Sequence, residues 1–355
     1  MTARRLLLLI FCLGSSPEAL PQERFYYTGK DFGTEAMFNP VSLILNGSYD
    51  VIQFEGIGRN IESFPYAHSW AELSKNLSAP FAAINHYGWG NFFADQVLPF
   101  NFSPNHGQWW PNYNLHLLGG GMTYVRTAEW YELHGYPSPK WFSFGTMAVY
   151  HLLNEVVEAG EYSGYNVDPI ADIYIFDLGG ILLFSCDNVK RFFRDEVMLT
   201  DWSLQPAFSL TDGTLRNNGQ YFAFKWRIPS SDRWHLFYLA GIDGMLGTSY
   251  LRDDKSMLSV GAGFRGISRT TLDQGTNRQT VVLAWNLGVF YDRENSLLAS
   301  LTLTGTYADA LSLNIYPGIV RIGPISPSFF LTLDQRGNPT VGVCTRWAPG
   351  IAYTY

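Results

Sequence analysis

Cysteine and charged residues are both scarce in this chain, and each shortage excludes a class of protein. The 355 residues include three cysteines, too few for a disulfide-dense scaffold. Only 15% of the residues are charged, against roughly 25% in soluble chains, whereas aromatic residues reach 16%. The formal net charge of -7 argues against nucleic acid as a partner. Few charges together with many aromatics favour a surface that faces lipid.

The chain also lacks a long hydrophobic run. A transmembrane helix takes roughly 18 or more uninterrupted apolar residues. Polar residues interrupt the two nearest candidates: His151 lies within residues 141–159, and Asp177 lies within residues 173–185. Only helices and closed barrels satisfy every backbone polar group in lipid. If the chain spans a membrane, we therefore expect it to do so as a barrel.

The N-terminus has the order of a secretory signal peptide. Arg4 and Arg5 precede an apolar run over residues 6–13, and small residues follow it. We expect residues 1–21 to be a signal that directs the chain out of the cytoplasm. Cys186 and Cys344 are then the cysteines left, and the sequence leaves open whether they pair.

Residues 201–355 alternate large apolar with small or polar residues. Leu297, Leu301 and Leu303 share one face of such a run, and Thr302 lies on the other face, as in a period-2 strand. Similar runs predict a small antiparallel β-barrel of the outer-membrane type with about 8–10 strands, in a mainly β fold with a helical insert. A soluble β-sandwich is the alternative. The predicted strands are residues 203–210, 219–228, 234–242, 257–266, 279–291, 297–308, 311–321, 326–333 and 340–347, with a short piece at the terminus.

Two further regions precede the predicted barrel. Residues 22–111 form an aromatic, mixed segment, with possible strands at 41–49 and 51–54 and an extended cover at 80–108. Residues 112–200 form a helical block with helices predicted at 112–132, 142–161 and 170–184. Ser143 and Asp168 are the expected N-caps of the last two helices. Gly119, Gly120 and Gly121, like Gly179 and Gly180, predict close packing of helix backbones.

The helical block carries the strongest candidate site. His151 and Glu155 are four residues apart and share one face of the second helix. His116 lies on the preceding helix, and Asp168 and Asp172 open the next. A buried set of this kind suits a metal ion or general acid and base work. It also suits a structural role in which the polar groups satisfy one another. We favour the structural role and expect neither a metal nor a cofactor, because the zinc motif of His, Glu, two residues and His is absent.

Two alternative functions stay open. The first is a lipid-modifying hydrolase or acyltransferase, with His151 as base, Glu155 or Asp168 as the orienting carboxylate, and Ser143 or Ser163 as nucleophile. The chain lacks the Gly-x-Ser-x-Gly elbow and a phosphate-binding loop, so we do not expect it to be an enzyme. The second is a soluble periplasmic module that holds a glycan. Its aromatic and histidine candidates are His68, His86, His106, Trp109 and Trp110.

The helical block resembles a family of uncharacterised secreted proteins of Gram-negative bacteria. In that family a helical block with a His, Glu and Asp pattern precedes an outer-membrane-type β-barrel. The resemblance implies a place in the outer membrane, with membrane lipid and the barrel assembly machinery as partners, and it implies no reaction. We therefore expect a helical domain that caps or plugs a barrel and binds lipid or a small ligand. The matching positions are Asn114, His116, Gly119, Gly120, Gly121, Phe144, His151, Glu155, Ser163, Gly164, Asp168, Asp172, Asp177, Gly179 and Gly180.

Overall fold

The fold is that of a computed structural model, which describes residues 23–99, 107–273, 275, 277–346 and 348–355. The predicted signal peptide, residues 1–21, and His106 lie outside the described residues. The fold is mixed helix and sheet rather than mainly β, because helices occupy most of the described chain before residue 197.

Nine helices precede the sheet in the described part of the chain. Two short 3-10 turns, Asp50–Gln53 and Ile61–Ser63, lie between them. The helices are α1 Gly33–Met37, α2 Pro40–Ser48, α3 Tyr66–Ser78, α4 Pro80–Tyr87, α5 Trp89–Phe92 with Phe93–Val97, α6 Trp109–Pro111 with Asn112–Gly120 and Gly121–Leu133, α7 Pro139–Ala159, α8 Asp168–Ala171 with Asp172–Asp177 and Leu178–Leu183, and α9 Asp187–Arg191 with Phe192–Glu196.

Four of these helices contain a π-helical stretch, in which the backbone hydrogen bonds reach one residue further than in an α-helix. The stretches are Phe93–Val97 in α5, Asn112–Gly120 in α6, Asp172–Asp177 in α8 and Phe192–Glu196 in α9. Such stretches are rare and occur frequently at functional sites. Three of them lie next to the candidate site described below.

The strands predicted at 41–49 and 51–54 are wrong. Residues 40–48 form α2, because Pro40 occupies its first turn and the Asn39 side chain accepts hydrogen bonds from the backbone N–H groups of Val41 and Ser42. Residues 50–53 form a 3-10 turn. The cover expected to be extended at 80–108 is largely helical, with helices at Pro80–Tyr87, Trp89–Phe92 and Phe93–Val97.

Thirteen strands form one sheet in the part of the chain that the structure describes. Its antiparallel ladder runs β1-β4-β5-β6-β7-β8-β9-β10-β11-β12-β13, and the short strands β2 and β3 follow β13. The strands are β1 Thr200–Asp201, β2 Ala207–Ser209, β3 Leu215–Arg216, β4 Phe222–Arg227, β5 Trp234–Ala240, β6 Asp243–Leu251, β7 Ser256–Asp273, β8 Arg278–Arg293, β9 Ser296–Thr304, β10 Leu311–Ile315, β11 Ser328–Leu333, β12 Pro339–Thr345 and β13 Ala348–Thr354.

The strand order corrects the prediction of a closed barrel with eight to ten strands. The described sheet has thirteen strands and is not closed, since β1 ends the ladder on one side and β3 ends it on the other. Residues 202–206 connect the two sides, and β2 pairs with β13 in parallel rather than antiparallel. Pro206 lies in this connection and has no N–H to donate, so the antiparallel ladder does not continue through it.

The open sheet nevertheless curls around a core of its own. Lys225 on β4 and Asp292 on β8 form an ion pair of 2.8 Å, although three strands separate β4 from β8 in the ladder. Phe237 on β5 and Phe290 on β8 also meet inside the curl, with ring centroids 5.4 Å apart. Met37 at the end of α1 enters the same core.

The helical block packs against the outer face of β4. Phe222 and Phe224 on that face share a core with Met122 of α6 and Tyr150 of α7. Gly119 makes this approach possible, because a Cβ at that position would lie 2.2 Å from the Phe222 ring. The predicted close packing of helix backbones is confirmed at Gly121 and Gly180, whose Cβ positions would lie 2.6 Å and 2.5 Å from carbonyl oxygens of the facing helix. The helices of the block contact the sheet from the side, whereas N-terminal residues such as Met37 and Gln53 reach its interior.

Two sequence-based questions receive direct answers. Cys186 is exposed, Cys344 is buried, and both are free thiols. Within the described residues, no single helix has the length and apolar composition needed to cross a membrane, although one bent pair, Asp168–Leu183 with Asp187–Glu196, passes that test.

Candidate functional site

Three helices bring histidines and carboxylates together inside the helical block. His116 comes from the π-helical stretch of α6, and His151 comes from the middle of α7. Asp172 and Asp177 are the first and last residues of the π-helical stretch of α8. His151, Asp172 and Asp177 are buried, and His116 is partly buried. We call these four residues and Glu155 of α7 the His–Asp cluster.

Asp177 lies between the two histidines. Its Oδ1 is 3.0 Å from Nδ1 of His116, and its Oδ2 is 3.2 Å from Nδ1 of His151. The two imidazole rings are tilted toward each other, with centroids 5.3 Å apart. Asp177 forms a hydrogen bond with His116, whereas neither ring nitrogen of His151 has a hydrogen-bond partner among the described residues.

The remaining carboxylates surround this pair of rings. Asp172 Oδ2 lies 3.6 Å from Nε2 of His116, so His116 faces a carboxylate at both nitrogens. The side chains of Glu155 and Asp172 lie within hydrogen-bonding reach of each other. Asp168 is not the N-cap of α8: it is the first residue of the helix, and its side chain contacts Gln96 of α5 instead.

The buried setting shifts the pKa values of these groups in different directions. Burial lowers the pKa of His151 to about 4, which keeps the ring neutral at pH 7. Burial would also lower the pKa of His116, but the attraction of Asp177 and its hydrogen bond outweigh burial and raise it. Burial and the neighbouring carboxylates Glu158 and Asp168 raise the pKa of Glu155 well above its usual range. Burial, with Asp168 and Glu155, does the same for Asp172.

Glycine contacts between α6 and α8 create the cluster. A Cβ on Gly180 would lie 2.5 Å from the Leu117 carbonyl oxygen, and a Cβ on Gly121 would lie 2.6 Å from the Gly180 carbonyl oxygen. The two helix backbones therefore touch just beyond His116 and Asp177, which brings those side chains within hydrogen-bonding distance. The glycine pattern and the His–Asp cluster are parts of one arrangement.

The two predicted nucleophiles have other partners. The Ser143 hydroxyl is buried in α7 and donates a hydrogen bond of 2.6 Å to the Tyr124 carbonyl oxygen. It is not an N-cap, since α7 begins at Pro139. Ser163 is exposed and lies 3.1 Å from Nε2 of His68. Neither serine pairs with His151 in the described structure, so the hydrolase geometry expected from the sequence is not formed.

The aromatic N-terminal candidates are spread over several places. His86 is exposed and stacks near Tyr165, with ring centroids 4.7 Å apart. Trp109 is buried, and the exposed Trp110 contacts Tyr238 of β5. His68 and His86 both contact the 162–165 loop, whereas Trp109 and Trp110 pack around Tyr113 and Tyr238.

Asp177 is a site residue that was not among the predicted ones. In the sequence it stands out only as an interruption of an apolar run and as one position of the resemblance. A single carboxylate within such a run, five residues after Asp172, was the available signal. The five-residue spacing brings both carboxylates to one side only because residues 172–177 are π-helical, and a regular α-helical pattern did not indicate this.

We compared the chain with protein-family models, with curated proteins and with solved structures. None of these three comparisons gave a match. The function is therefore argued from the residues themselves.

Proposed function

We propose that this chain is an outer-membrane protein of Gram-negative bacteria, embedded in lipid by the outer face of its curled sheet. In this proposal the helical block packs beside the sheet and carries a buried polar site that binds lipid or a small ligand, rather than catalysing a reaction. The observation that carries the proposal is the composition of the two faces of the sheet.

The outer face of β8 is apolar along its middle. Leu283, Trp285, Leu287 and Val289 are exposed, and the alternating residues between them, including Asn286, are buried. A soluble protein usually shows the reverse, with polar residues facing water. An exposed apolar strand face of this length favours contact with lipid.

Neighbouring strands extend this face into a belt. Val260 of β7, Val289 of β8 and Leu301 of β9 are consecutive partners across the ladder, and all three are exposed. Leu246 of β6 is 70% exposed in the row beside them. We call these exposed apolar residues of β6 to β9 the apolar belt. Side chains in register on several strands make it continuous, as expected of a surface that contacts acyl chains.

The inner face of the curled sheet carries polar pairs beside its aromatic core. Arg265 Nη1 lies 3.1 Å from Asp243 Oδ1, and the Ser249 and Ser259 hydroxyls are 2.6 Å apart. A small cavity of about 50 Å³ lies beside the first of these pairs, with Asp243 and Arg265 in its lining. Exposed apolar side chains outside, with buried polar pairs inside beside an aromatic core, favour a sheet whose outer face contacts lipid.

The helical block has an apolar outer surface as well. Leu182 of α8 is 62% exposed, and Val149 and Trp141 of α7 are about half exposed. These side chains lie on the helices that hold the His–Asp cluster. We infer that lipid also contacts this part of the block, so that the buried site lies beneath a lipid-facing surface.

Exposed tyrosines on β13 fit the same proposal. Tyr353 is exposed on β13, and Tyr355, which follows the strand, is 72% exposed with its ring 4.7 Å from that of Tyr353. Exposed aromatic side chains beside an apolar face are typical of the girdle at a membrane interface.

Cell fractionation tests the proposal. The full chain, expressed in a Gram-negative host, should sediment with outer membranes, resist extraction by alkaline carbonate and dissolve only in detergent. Leu287→Arg should reduce the membrane-inserted fraction, because an arginine on the lipid face at the bilayer centre costs about 2–4 kcal/mol. Leu210→Arg is the matched control, since Leu210 is exposed but lies at the turn after β2. Recovery of the wild-type chain in the soluble periplasmic fraction would overturn the proposal.

A further inference from the structure

We propose that His116, His151 and Asp177 bind a divalent first-row transition-metal ion of the Zn²⁺ class. This inference does not depend on the membrane proposal, because it rests on the interior of the helical block. It also revises the sequence-based preference for a purely structural cluster without a metal.

The spacing of the three side chains suits a metal ion. One ligand atom from each residue lies within 4.8 Å of the others. Two ligands held at about 2.1 Å in a tetrahedral arrangement are about 3.4 Å apart. The distances from Asp177 to Nδ1 of His116 and to Nδ1 of His151, 3.0 and 3.2 Å, are close to that value.

His151 provides an independent reason to expect a ligand. Its side chain is 5% exposed, and neither ring nitrogen has a hydrogen-bond partner among the described residues. Leaving a buried polar group without a partner costs about 1–3 kcal/mol. The Oδ2 atom of Asp177 and the Oδ1 atom of Asp172 are buried and unpartnered as well. A metal ion between the histidines and Asp177 would give a partner to one ring nitrogen of His151 and to the Oδ2 atom of Asp177 at once.

The charges around the site favour a cation. Among the described residues, Asp172 and Asp177 form ion pairs with histidines alone. Neither carboxylate forms an ion pair with a lysine or an arginine of that part of the chain. Glu155 adds a third buried carboxyl group beside Asp172. Buried carboxylates are stable when they are paired or coordinate a metal. A divalent ion would supply the positive charge that the protein side chains do not.

Asp172 occupies the position of a supporting residue. Histidines that bind a metal with one nitrogen usually donate the other N–H to a carboxylate, which fixes the ring. His116 directs Nδ1 to Asp177, and its Nε2 lies 3.6 Å from Asp172. Asp172 is therefore assigned as a positioning residue and His116 as a ligand through Nδ1.

Gly120 borders the site. A Cβ at Gly120 would lie 3.6 Å from Asp177 Oδ1 and 3.7 Å from Nε2 of His151, which is van der Waals contact with both ligand residues. The glycine has ordinary helical backbone angles, and a larger residue fits its conformation. A valine there would place methyl groups against the site and reduce the space for a metal without removing any ligand residue.

Three protein ligands leave at least one coordination position for water or a ligand. This is the arrangement of zinc sites that act on a bound molecule, whereas purely structural zinc sites usually have four protein ligands. We infer that an anionic or carbonyl oxygen is the group that would bind at the open position.

Metal binding by the purified full chain tests the inference. The protein is prepared in detergent without a polyhistidine tag, stripped with EDTA and titrated with Zn²⁺ by calorimetry. One Zn²⁺ per chain is expected, and X-ray absorption of the loaded wild type should show two imidazole nitrogens and carboxylate oxygen. Because this spectrum needs no variant, a folding defect cannot obscure it. Absence of one-to-one binding, or a metal shell without histidine, would overturn the inference.

Variants separate binding from folding. His151→Ala and Asp177→Asn should lose the one-to-one binding, and Asp172→Asn should weaken it about 10-fold to 100-fold. Gly120→Val should also lose the binding while keeping the wild-type circular dichroism spectrum in EDTA. His86→Ala, at an exposed histidine, is the control and should bind like wild type. Equal Zn²⁺ affinity in His151→Ala and wild type would contradict the assignment of the ligands.

Discussion

Lys225 and Asp292 are joined by an ion pair of 2.8 Å across the interior of the curled sheet, with both side chains almost fully buried. Lys225 belongs to β4 and Asp292 to β8, so the pair connects strands that are not neighbours in the ladder. The Lys225 ammonium also lies 5.1 Å from the centroid of the Trp202 ring. This pair holds the curl together although the ladder itself is open.

Removal of one partner of this pair should destabilise the protein strongly. Lys225→Met leaves the Asp292 carboxylate buried without its cation, and breaking such a pair typically costs about 3–5 kcal/mol. The double variant Lys225→Met with Asp292→Leu should recover most of that loss, because no buried charge remains. Thermal unfolding in detergent, followed by tryptophan fluorescence, measures both. Equal stability of Lys225→Met and wild type would contradict the role given to the pair.

Gly119 should tolerate no side chain. Its Cβ would lie 2.2 Å from the Phe222 ring, so Gly119→Ala should push α6 away from β4 and lower the free energy of unfolding by about 1–3 kcal/mol. Gly145→Ala is the matched control on α7, where a Cβ meets nothing within 4 Å and the glycine is exposed. The control should gain about 1 kcal/mol from helix propensity. Denaturant unfolding of both variants decides whether this helix and sheet contact is as close as described.

The buried cluster should contribute to stability as the sequence analysis predicted. His151→Ala and Glu155→Ala each remove a buried side chain from α7 and should lower the melting temperature even in EDTA. His86→Ala should leave the melting temperature unchanged, because His86 is exposed. If either cluster variant melts at the wild-type temperature in EDTA, the replaced residue has no structural role. Metal binding would then be its remaining role.

The contribution of Asp168 to the free energy of unfolding should decrease as the pH rises. Burial and the nearby Glu158 carboxylate raise the pKa of Asp168 to about 6, while contacts with Gln96, His116 and Arg269 partly oppose the shift. A carboxyl group whose folded pKa is raised favours the folded state below its unfolded pKa, and that contribution is lost as pH rises through the folded value. The loss should therefore fall between about pH 4 and pH 7.

Asp168→Asn tests this sign directly. The variant has no carboxyl group to ionise, so its melting temperature in EDTA should fall less than that of wild type between pH 5 and pH 8. Asp232→Asn, in the turn between β4 and β5, serves as a control at an ordinary surface carboxylate. An identical pH dependence in Asp168→Asn and wild type would show that Asp168 has an unshifted pKa.

Most of the strands could be predicted from period-2 alternation, and β6 could not. Residues 243–251 begin with Asp243 and Gly244 and contain Gly247. This composition is typical of a turn. The structure explains Gly247 by a close approach, since a Cβ there would lie 1.8 Å from the Val260 carbonyl oxygen on β7. A glycine selected by a neighbouring strand cannot be distinguished from a turn glycine without knowledge of that neighbour.

The candidate site could be predicted only in part, because one of its residues is positioned by an irregular stretch of helix. The i and i+4 spacing of His151 and Glu155 placed them on one helix face, and the structure brings His116 and Asp172 to the same place. Asp177 completes the site only because α8 is π-helical there. Helix α2 was missed because its apolar run resembles a strand, although Asn39 and Pro40 before it are a helix start.

Site-directed spin labelling at the apolar belt tests the central claim most directly. Single cysteines replace Leu283, Trp285, Leu287 and Val289 in a Cys186→Ser background, and Asp253→Cys, in a turn where the aspartate side chain is 87% exposed, is the control. In protein extracted with native membrane and embedded in lipid, the account predicts that labels at the four β8 positions collide with oxygen and are protected from a water-soluble nickel chelate, whereas the label at 253 meets the chelate freely. Equal access of the chelate to residue 287 and to residue 253 would mean that the belt faces water, and would contradict the membrane function proposed for this chain.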